Sequence, residues 1–242
     1  MGQLVGIATV DGIATITLDS PVNRNALSQQ LLADLHAALD DAERNEARVV
    51  VLTHTAPGFC AGADLQERAA GNVDSTSFVR AIDRLGTIAA PVIAAIDGPV
   101  RAGGIGIMAA CDLVVVNPSI TFAFTEVRIG VAPAIITGPI LQRCGWSKLA
   151  APYLTGEVFD AARALDMGLI THIADDVCGA VARLCHDLLL GGPNALAATK
   201  ALLRRPHTMV ELQALSESLF TSEEGREGMA AFAEKRPPTW AL

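Results

Sequence analysis

The sequence predicts one α/β domain with a layered sheet at its centre and a helical region at its C-terminal end. Two stretches, 48–65 and 91–110, each have the pattern of a buried strand, a glycine-containing turn and the start of a helix. After residue 133 the apolar spacing is mainly that of helices. A chain of 242 residues is long enough for one such domain with its own core. We expect residues 1–190 to form the core and residues 191–242 to form a helical region that packs on it.

Turn and cap residues mark the boundaries of the elements. Asp11-Gly12 between two strand-like runs predicts a hairpin. Ser28 and Asp64 are suited to the N-caps of helices. The predicted strands lie at 4–10, 12–18, 48–54, 91–97, 113–116 and 169–174. The predicted helices lie at 28–45, 72–89, 134–143, 146–153, 160–167, 176–190, 193–204, 208–220 and 222–235.

Composition excludes several classes of function. A formal charge of −8 argues against nucleic-acid binding, which needs a basic face. No apolar run approaches a membrane-spanning length and no signal-peptide pattern begins the chain, so we expect no membrane partner and a cytoplasmic location. Five cysteines without CxxC spacing, and histidines without paired ligand spacing, predict no metal site.

The two glycine turns have the chemistry of an anion or oxyanion site. Gly103-Gly104 precedes a helix of small residues, where free backbone N–H groups and the helix dipole give partial positive charge. The earlier turn, GFCAGADL at 58–65, has the same character. Two N–H donors from these turns can point at one oxygen.

These motifs resemble the crotonase superfamily, the enoyl-CoA hydratases and isomerases. The resemblance is carried by FCAGADL, the GG turn about forty residues later, CDLVVV and FAFTEVRIGVAP, and it extends from SPVNRNALS at 20–28 to FAEKRPPTW at 232–240. It implies a core of repeated ββα units wound as a spiral. It also implies a trimer, or a hexamer made of two trimers, in which the C-terminal helices contact neighbouring subunits.

The resemblance assigns catalytic roles to three residues. The backbone N–H groups of Ala63 and Gly103 would bind the thioester oxygen, and Gly62 and Gly104 would let the backbone approach closely. Glu126 falls on the family's second acidic position, whereas Gly106 stands where its hydratases usually carry a first glutamate. Half of the usual carboxylate pair is therefore missing.

One carboxylate leaves the reaction open. Glu126 can activate water and return its proton to C2, which is hydration, or move a proton between C2 and C4, which is isomerisation. The segment EVRIGVAP resembles bacterial hydratases of branched enoyl-CoAs that also have glycine at the first acidic position, which favours hydration. A relative that binds acyl-CoA without catalysis is the third alternative.

The resemblance also assigns the residues that contact coenzyme A. The substrate-binding residues are Arg24, Asn25, Ala26, Leu27, Ala61, Gly62, Asp64, Leu65 and Gly104. Arg24 would lie near phosphate, and main-chain groups of the next three residues would bind the adenine and pantetheine. The family needs no cofactor apart from the coenzyme A of its substrate.

A dinucleotide-binding enzyme is a weaker interpretation of the same glycines. The segment 104–109 fits GxGxxA, and Glu126 follows at a suitable distance. That fingerprint needs a strand that ends at its first glycine, but DGPVRA intervenes here. A serine hydrolase is weaker still, because no GxSxG occurs.

Overall fold

Two sheets organise the chain in the computed structural model, which describes residues 2–241. The larger sheet has six strands in the order β1-β2-β3-β4-β6-β9, and the smaller has the order β5-β7-β8. The strands are β1 Val5–Val10, β2 Ile13–Leu18, β3 Val49–His54, β4 Val92–Ile96, β5 Val100–Arg101, β6 Leu113–Val116, β7 Thr121–Ala123, β8 Val158–Asp160 and β9 His172–Ile173.

The N-terminal hairpin and the first long helix form as the sequence predicts. Strands β1 and β2 pair antiparallel around Asp11 and Gly12, which both have positive φ, as a two-residue hairpin turn requires. Helix α1, Gln29–Arg44, begins after Ser28, whose side chain accepts a hydrogen bond from the Leu31 N–H. Its apolar face is buried against the sheet.

The other helices surround the sheets. They are α2 Leu65–Ala69, α3 Thr76–Thr87, α4 Gly103–Ala110, α5 Ala134–Leu141, α6 Trp146–Thr155, α7 Ala161–Asp166, α8 Val177–Leu189, α9 Pro193–Leu202, α10 Met209–Thr221 and α11 Glu223–Glu234. Strands β2, β3, β4, β6 and β9 run parallel, so the turns that follow β3 and β4 meet at one edge of the sheet. The α/β class and the stacked turns are confirmed.

Helix α4 depends on its surroundings. Three of its eight residues are glycine, which disfavours an isolated helix, but all eight are buried in the protein. Its C-terminal carbonyls accept hydrogen bonds from two cations, Ala109 from the Arg143 guanidinium at 2.8 Å and Ala110 from that of Arg204 at 2.9 Å. Positive charge at the C-terminal end of α4 complements the helix dipole. The N-terminal end of α4 begins at Gly103, in the second glycine turn.

The small sheet departs from the sequence prediction. Residues 158–160 form β8, which pairs antiparallel with β7, although no strand was expected there. Phe159 of β8 stacks on Phe122 and also packs against Phe124. A three-residue strand is too short for a periodic pattern, which is why the sequence did not indicate it.

The last helices expose much apolar surface. No residue of α10 is buried, and Met209, Val210 and Phe220 are all largely exposed. Phe232 of α11 is 87% exposed. The division of the chain at residue 190 stays a prediction. Within residues 2–241, no helix has the length and hydropathy that crossing a membrane requires.

Candidate active site

The two glycine turns contact each other directly. A Cβ on Gly62 would lie 2.8 Å from the Cβ of Ala102, and a Cβ on Gly104 would lie 2.6 Å from the Cβ of Cys60. The Arg101 N–H also donates to the Cys60 carbonyl at 3.0 Å. Only glycine fits at positions 62 and 104, and the close approach brings the two backbones into register.

Two backbone N–H groups meet where the turns touch. The Ala63 nitrogen lies 3.7 Å from the position that a Cβ would take on Gly103, and the Gly103 nitrogen lies 3.4 Å from the corresponding position on Gly62. Within residues 2–241 neither N–H has a backbone hydrogen-bond acceptor. Gly103 is also the first residue of α4, where N–H groups have no partner within the helix.

Strained backbone at Ala102 orients the second donor. Ala102 has φ 46° and ψ −121°, a left-handed conformation that is unfavourable for a residue with a side chain. Its N–H donates to the Ala123 carbonyl of β7 at 3.0 Å, so the small sheet holds the strained residue in place. The turn can therefore present the Gly103 N–H outward instead of continuing strand β5.

A cavity of about 450 Å³ opens above these donors. Its walls are mostly apolar. The lining residues are Ala61, Ala63, Leu65, Arg68, Val73, Phe78, Ala102, Gly103, Thr125, Glu126, Ile129, Val131, Ala132, Pro133, Ala134, Ile135 and Ile136. The three residues assigned to catalysis, Ala63, Gly103 and Glu126, thus lie in the wall of one cavity.

Glu126 is the one carboxylate among the residues that line the cavity. It begins a short 3₁₀ helix, Glu126–Ile129, directly after β7. Within residues 2–241 its Oε2 atom is buried and has no hydrogen-bond partner. Burial raises the pKa of the Glu126 carboxyl above its ordinary value. A carboxyl group in this state is suited to exchange protons with a bound substrate.

The space beside Gly106 is filled. A Cβ on Gly106 would lie 2.3 Å from Cγ2 of Ile136 and 2.8 Å from its Cβ. Ile136 lies on α5 and is only 2% exposed. The position to which the resemblance assigns a first glutamate is therefore both glycine here and covered by an aliphatic side chain.

Asn25, Ala26 and Leu27 lie behind the cavity wall and do not line it. The Asn25 side chain is buried and donates to the Gly58 carbonyl at 2.9 Å, and the Leu27 N–H donates to the Gly62 carbonyl at 2.8 Å. These groups hold the first glycine turn in position. Their direct contact with coenzyme A stays a prediction.

Asp64 and Leu65 lie at the start of α2. The Asp64 carboxylate accepts hydrogen bonds from the N–H groups of Gln66 and Glu67, so it is the predicted N-cap. Leu65 lines the cavity and is 56% exposed, as expected of a residue at the cavity mouth. Because the Asp64 carboxylate already accepts these hydrogen bonds as a helix cap, Asp64 contributes to a ligand site by fixing where α2 begins.

A second cleft of about 310 Å³ shares Ala61 with the cavity. Arg24 and Arg101 both line this cleft, and no acidic residue does. The Arg101 guanidinium donates to the Val100 carbonyl and the Thr121 hydroxyl, and burial lowers its pKa. Because two arginines and no acidic residue line this cleft, it is a candidate site for a phosphate group.

Sequence reasoning missed three residues at the site: Arg101, Thr125 and Ile136. Arg101 is a lone cation in DGPVRAGG and Thr125 adjoins Glu126, so both had a sequence signal that was not used. Ile136 had none, because its contact with Gly106 joins positions 30 residues apart on different helices.

Comparison with known proteins identifies the family of the chain and agrees with its fold. The family model described as enoyl-CoA hydratase/isomerase matches residues 8–241. An enoyl-CoA isomerase/hydratase of Mycosarcoma maydis is 30% identical, over 96% of this chain and 93% of that protein.

Solved structures give the same result. An enoyl-CoA hydratase from Mycobacterium avium is 44% identical with a TM-score of 0.77, over 99% of this chain and 100% of that one. An enoyl-CoA hydratase/isomerase from Marinobacter aquaeolei is 28% identical with a TM-score of 0.92, over the full length of both chains. The chain therefore belongs to the enoyl-CoA hydratase/isomerase family, within the crotonase superfamily.

Proposed function

We propose that this protein hydrates the 2,3 double bond of an enoyl-CoA thioester. The observation that carries the proposal is the shared cavity. Within residues 2–241, a half-buried glutamate whose Oε2 has no hydrogen-bond partner and two backbone N–H groups without backbone acceptors line one mostly apolar space. An apolar wall suits an acyl chain, and the polar groups suit its reacting end.

The N–H groups of Ala63 and Gly103 stabilise negative charge on the thioester oxygen. When water adds to C3, the π electrons of the double bond move toward that oxygen and form an enolate. Glu126 takes a proton from the water as the new C–O bond forms, and then returns a proton to C2. The balance is one water added across the double bond, and coenzyme A is carried only as part of the substrate.

Coenzyme A extends from the cavity toward the second cleft. Ala61 lines both spaces, so a ligand can pass from the acyl site to Arg24 and Arg101 along one wall. The chain carries a net charge of −8, and these two cations supply the local positive charge that a phosphate needs.

Isomerisation is the second candidate, and the filled space beside Gly106 favours it. Because Ile136 covers that position, Glu126 acts without a second carboxylate. Proton transfer between C2 and C4 needs one base only, whereas hydration also needs a fixed water.

One experiment separates these reactions. The protein is incubated with 2-enoyl-CoA and 3-enoyl-CoA esters of several chain lengths, and products are identified by mass and chromatography. A gain of 18 mass units, about the mass of one water, from the 2-enoyl esters supports hydration. Conversion of 3-enoyl to 2-enoyl esters without that gain supports isomerisation, and binding without turnover contradicts both reactions.

We also propose a trimer or a hexamer. The exposed apolar side chains of α10 and α11, and an apolar groove of about 380 Å³ beside Phe220, Met229 and Trp240, support burial against another subunit. Light scattering should give at least three times the chain mass of 25.2 kDa. A monomer at micromolar concentration would contradict this proposal.

A further inference from the structure

We propose that the Thr125 hydroxyl holds the water that is added to the substrate. The inference rests on the proposed hydration and identifies a residue that supplies the water site in place of the second carboxylate. It begins from the apolar wall at position 106, where Ile136 leaves no room for an acidic side chain.

Few side chains in the cavity can hold a water. Of the lining residues, only Arg68, Thr125 and Glu126 have polar side chains. An ordered water in a protein needs two to four hydrogen-bond partners. Glu126 supplies one of them, so at least one more must come from another group near its carboxylate.

Arg68 is already committed elsewhere. Its guanidinium donates to the carbonyls of Asn72 and Asp74 and to the Ser75 hydroxyl, at 3.2 to 3.3 Å. These contacts fix it to the connection between α2 and α3.

Thr125 is next to Glu126 in the chain and lines the same cavity. Within residues 2–241 its hydroxyl makes no hydrogen bond, and it does not cap the 3₁₀ helix that follows. Phe124, fully buried against Tyr153 with ring centroids 4.4 Å apart, fixes the backbone just before it. Within the described residues the Thr125 hydroxyl is therefore without a hydrogen-bond partner, and the backbone that carries it is anchored at Phe124.

The Glu126 and Thr125 side chains each accept one hydrogen bond from the same water. One O–H of the water donates to the Glu126 carboxylate, which takes that proton, and the other donates to the Thr125 oxygen. The lone pair of the water is then left to form the bond to C3. Thr125 exchanges no proton, so the atoms balance as in the hydration above.

The test compares Thr125→Val, which keeps the shape without the hydroxyl, with Thr125→Ser, which keeps the hydroxyl. Hydration of crotonyl-CoA is measured alongside exchange of the C2 hydrogen of butyryl-CoA in D₂O, which needs the oxyanion site and Glu126 but no added water. Thr155→Val, on the exposed end of α6, is the matched control.

We expect Thr125→Val to lower hydration about 10- to 100-fold, the effect of a misplaced reactant, while C2 exchange changes less than about 3-fold. Thr125→Ser should recover most of the hydration rate. If Thr125→Val loses both reactions equally, or hydrates at the full rate, the role of Thr125 is overturned but the proposed hydration is not. Wild-type protein that exchanges C2 hydrogen but never hydrates would overturn the proposed hydration and, with it, the water site.

Discussion

The cavity has two walls of different construction. The donor wall consists of the Ala63 and Gly103 backbone, and the acid wall consists of the side chains of Thr125, Glu126 and Ile136. The donor wall is fixed by close backbone contacts at Gly62 and Gly104, whereas the acid wall rests on a short 3₁₀ helix and on α5. Substitutions in the acid wall can therefore change its chemistry while the donor wall stays constant.

The largest expected effect is at Glu126. Glu126→Gln keeps the size of the side chain but cannot accept a proton, so hydration should fall about 10²- to 10⁴-fold while acyl-CoA binding persists. Turnover and calorimetric binding are measured side by side. Glu217→Gln, on exposed α10, controls for a change of charge. Full activity in Glu126→Gln would assign the proton transfer to another group.

The donor wall should respond only to a change in its backbone. Ala63→Pro removes one N–H donor and should lower turnover about 10²- to 10³-fold, whereas Ala63→Ser keeps the donor and should lose far less. Circular dichroism verifies that both variants fold. A folded proline variant with wild-type turnover would refute the assignment of this donor.

The contact between Gly106 and Ile136 should appear as a stability effect. Gly106→Ala places a Cβ against Ile136 and should lower the free energy of unfolding by about 1–3 kcal/mol, as overpacking does. In urea denaturation, Gly106→Ala combined with Ile136→Ala should be less destabilised than the sum of the two single variants. If the changes in the free energy of unfolding simply add, residues 106 and 136 are not in energetically coupled contact.

The same contact decides whether a second carboxylate can be added. Gly106→Glu alone should give no gain in hydration, because Ile136 occupies the space that the side chain needs. Gly106→Glu with Ile136→Gly should raise hydration relative to Ile136→Gly alone. A gain in the single variant would show that Ile136 moves aside easily.

The smallest expected effect is on the pH dependence of stability. The pKa of Glu126 is raised in the folded state, so the folded protein binds more protons than the unfolded chain as pH rises above about 4.5. Stability should therefore fall with rising pH until it passes the raised pKa. Glu126→Gln should remove this fall and raise Tm at pH 8 relative to the wild-type protein, as thermal unfolding measured at pH 4 and pH 8 would show. An unchanged or lower Tm in Glu126→Gln at pH 8 would contradict the predicted loss of stability with rising pH.

The sequence by itself determined the elements that depend on local chemistry. Ser28 and Asp64 predicted helix caps, Asp11-Gly12 predicted a hairpin, and apolar runs predicted the buried strands, since caps, turns and periodicity are properties of neighbouring residues. The paired glycine turns and their order along the chain were enough to indicate the family, which the comparisons confirm.

Only the tertiary structure decided what the cavity contains. Ile136 covers Gly106, Arg101 joins Arg24 in one cleft, and β8 supports the strand that leads to Glu126. Each of these contacts joins residues more than 25 positions apart, and no local pattern records which distant side chain fills a given space. The packing of α5 against α4 therefore decides that an aliphatic side chain fills the space beside Gly106. The sequence alone revealed only that position 106 carries no carboxylate.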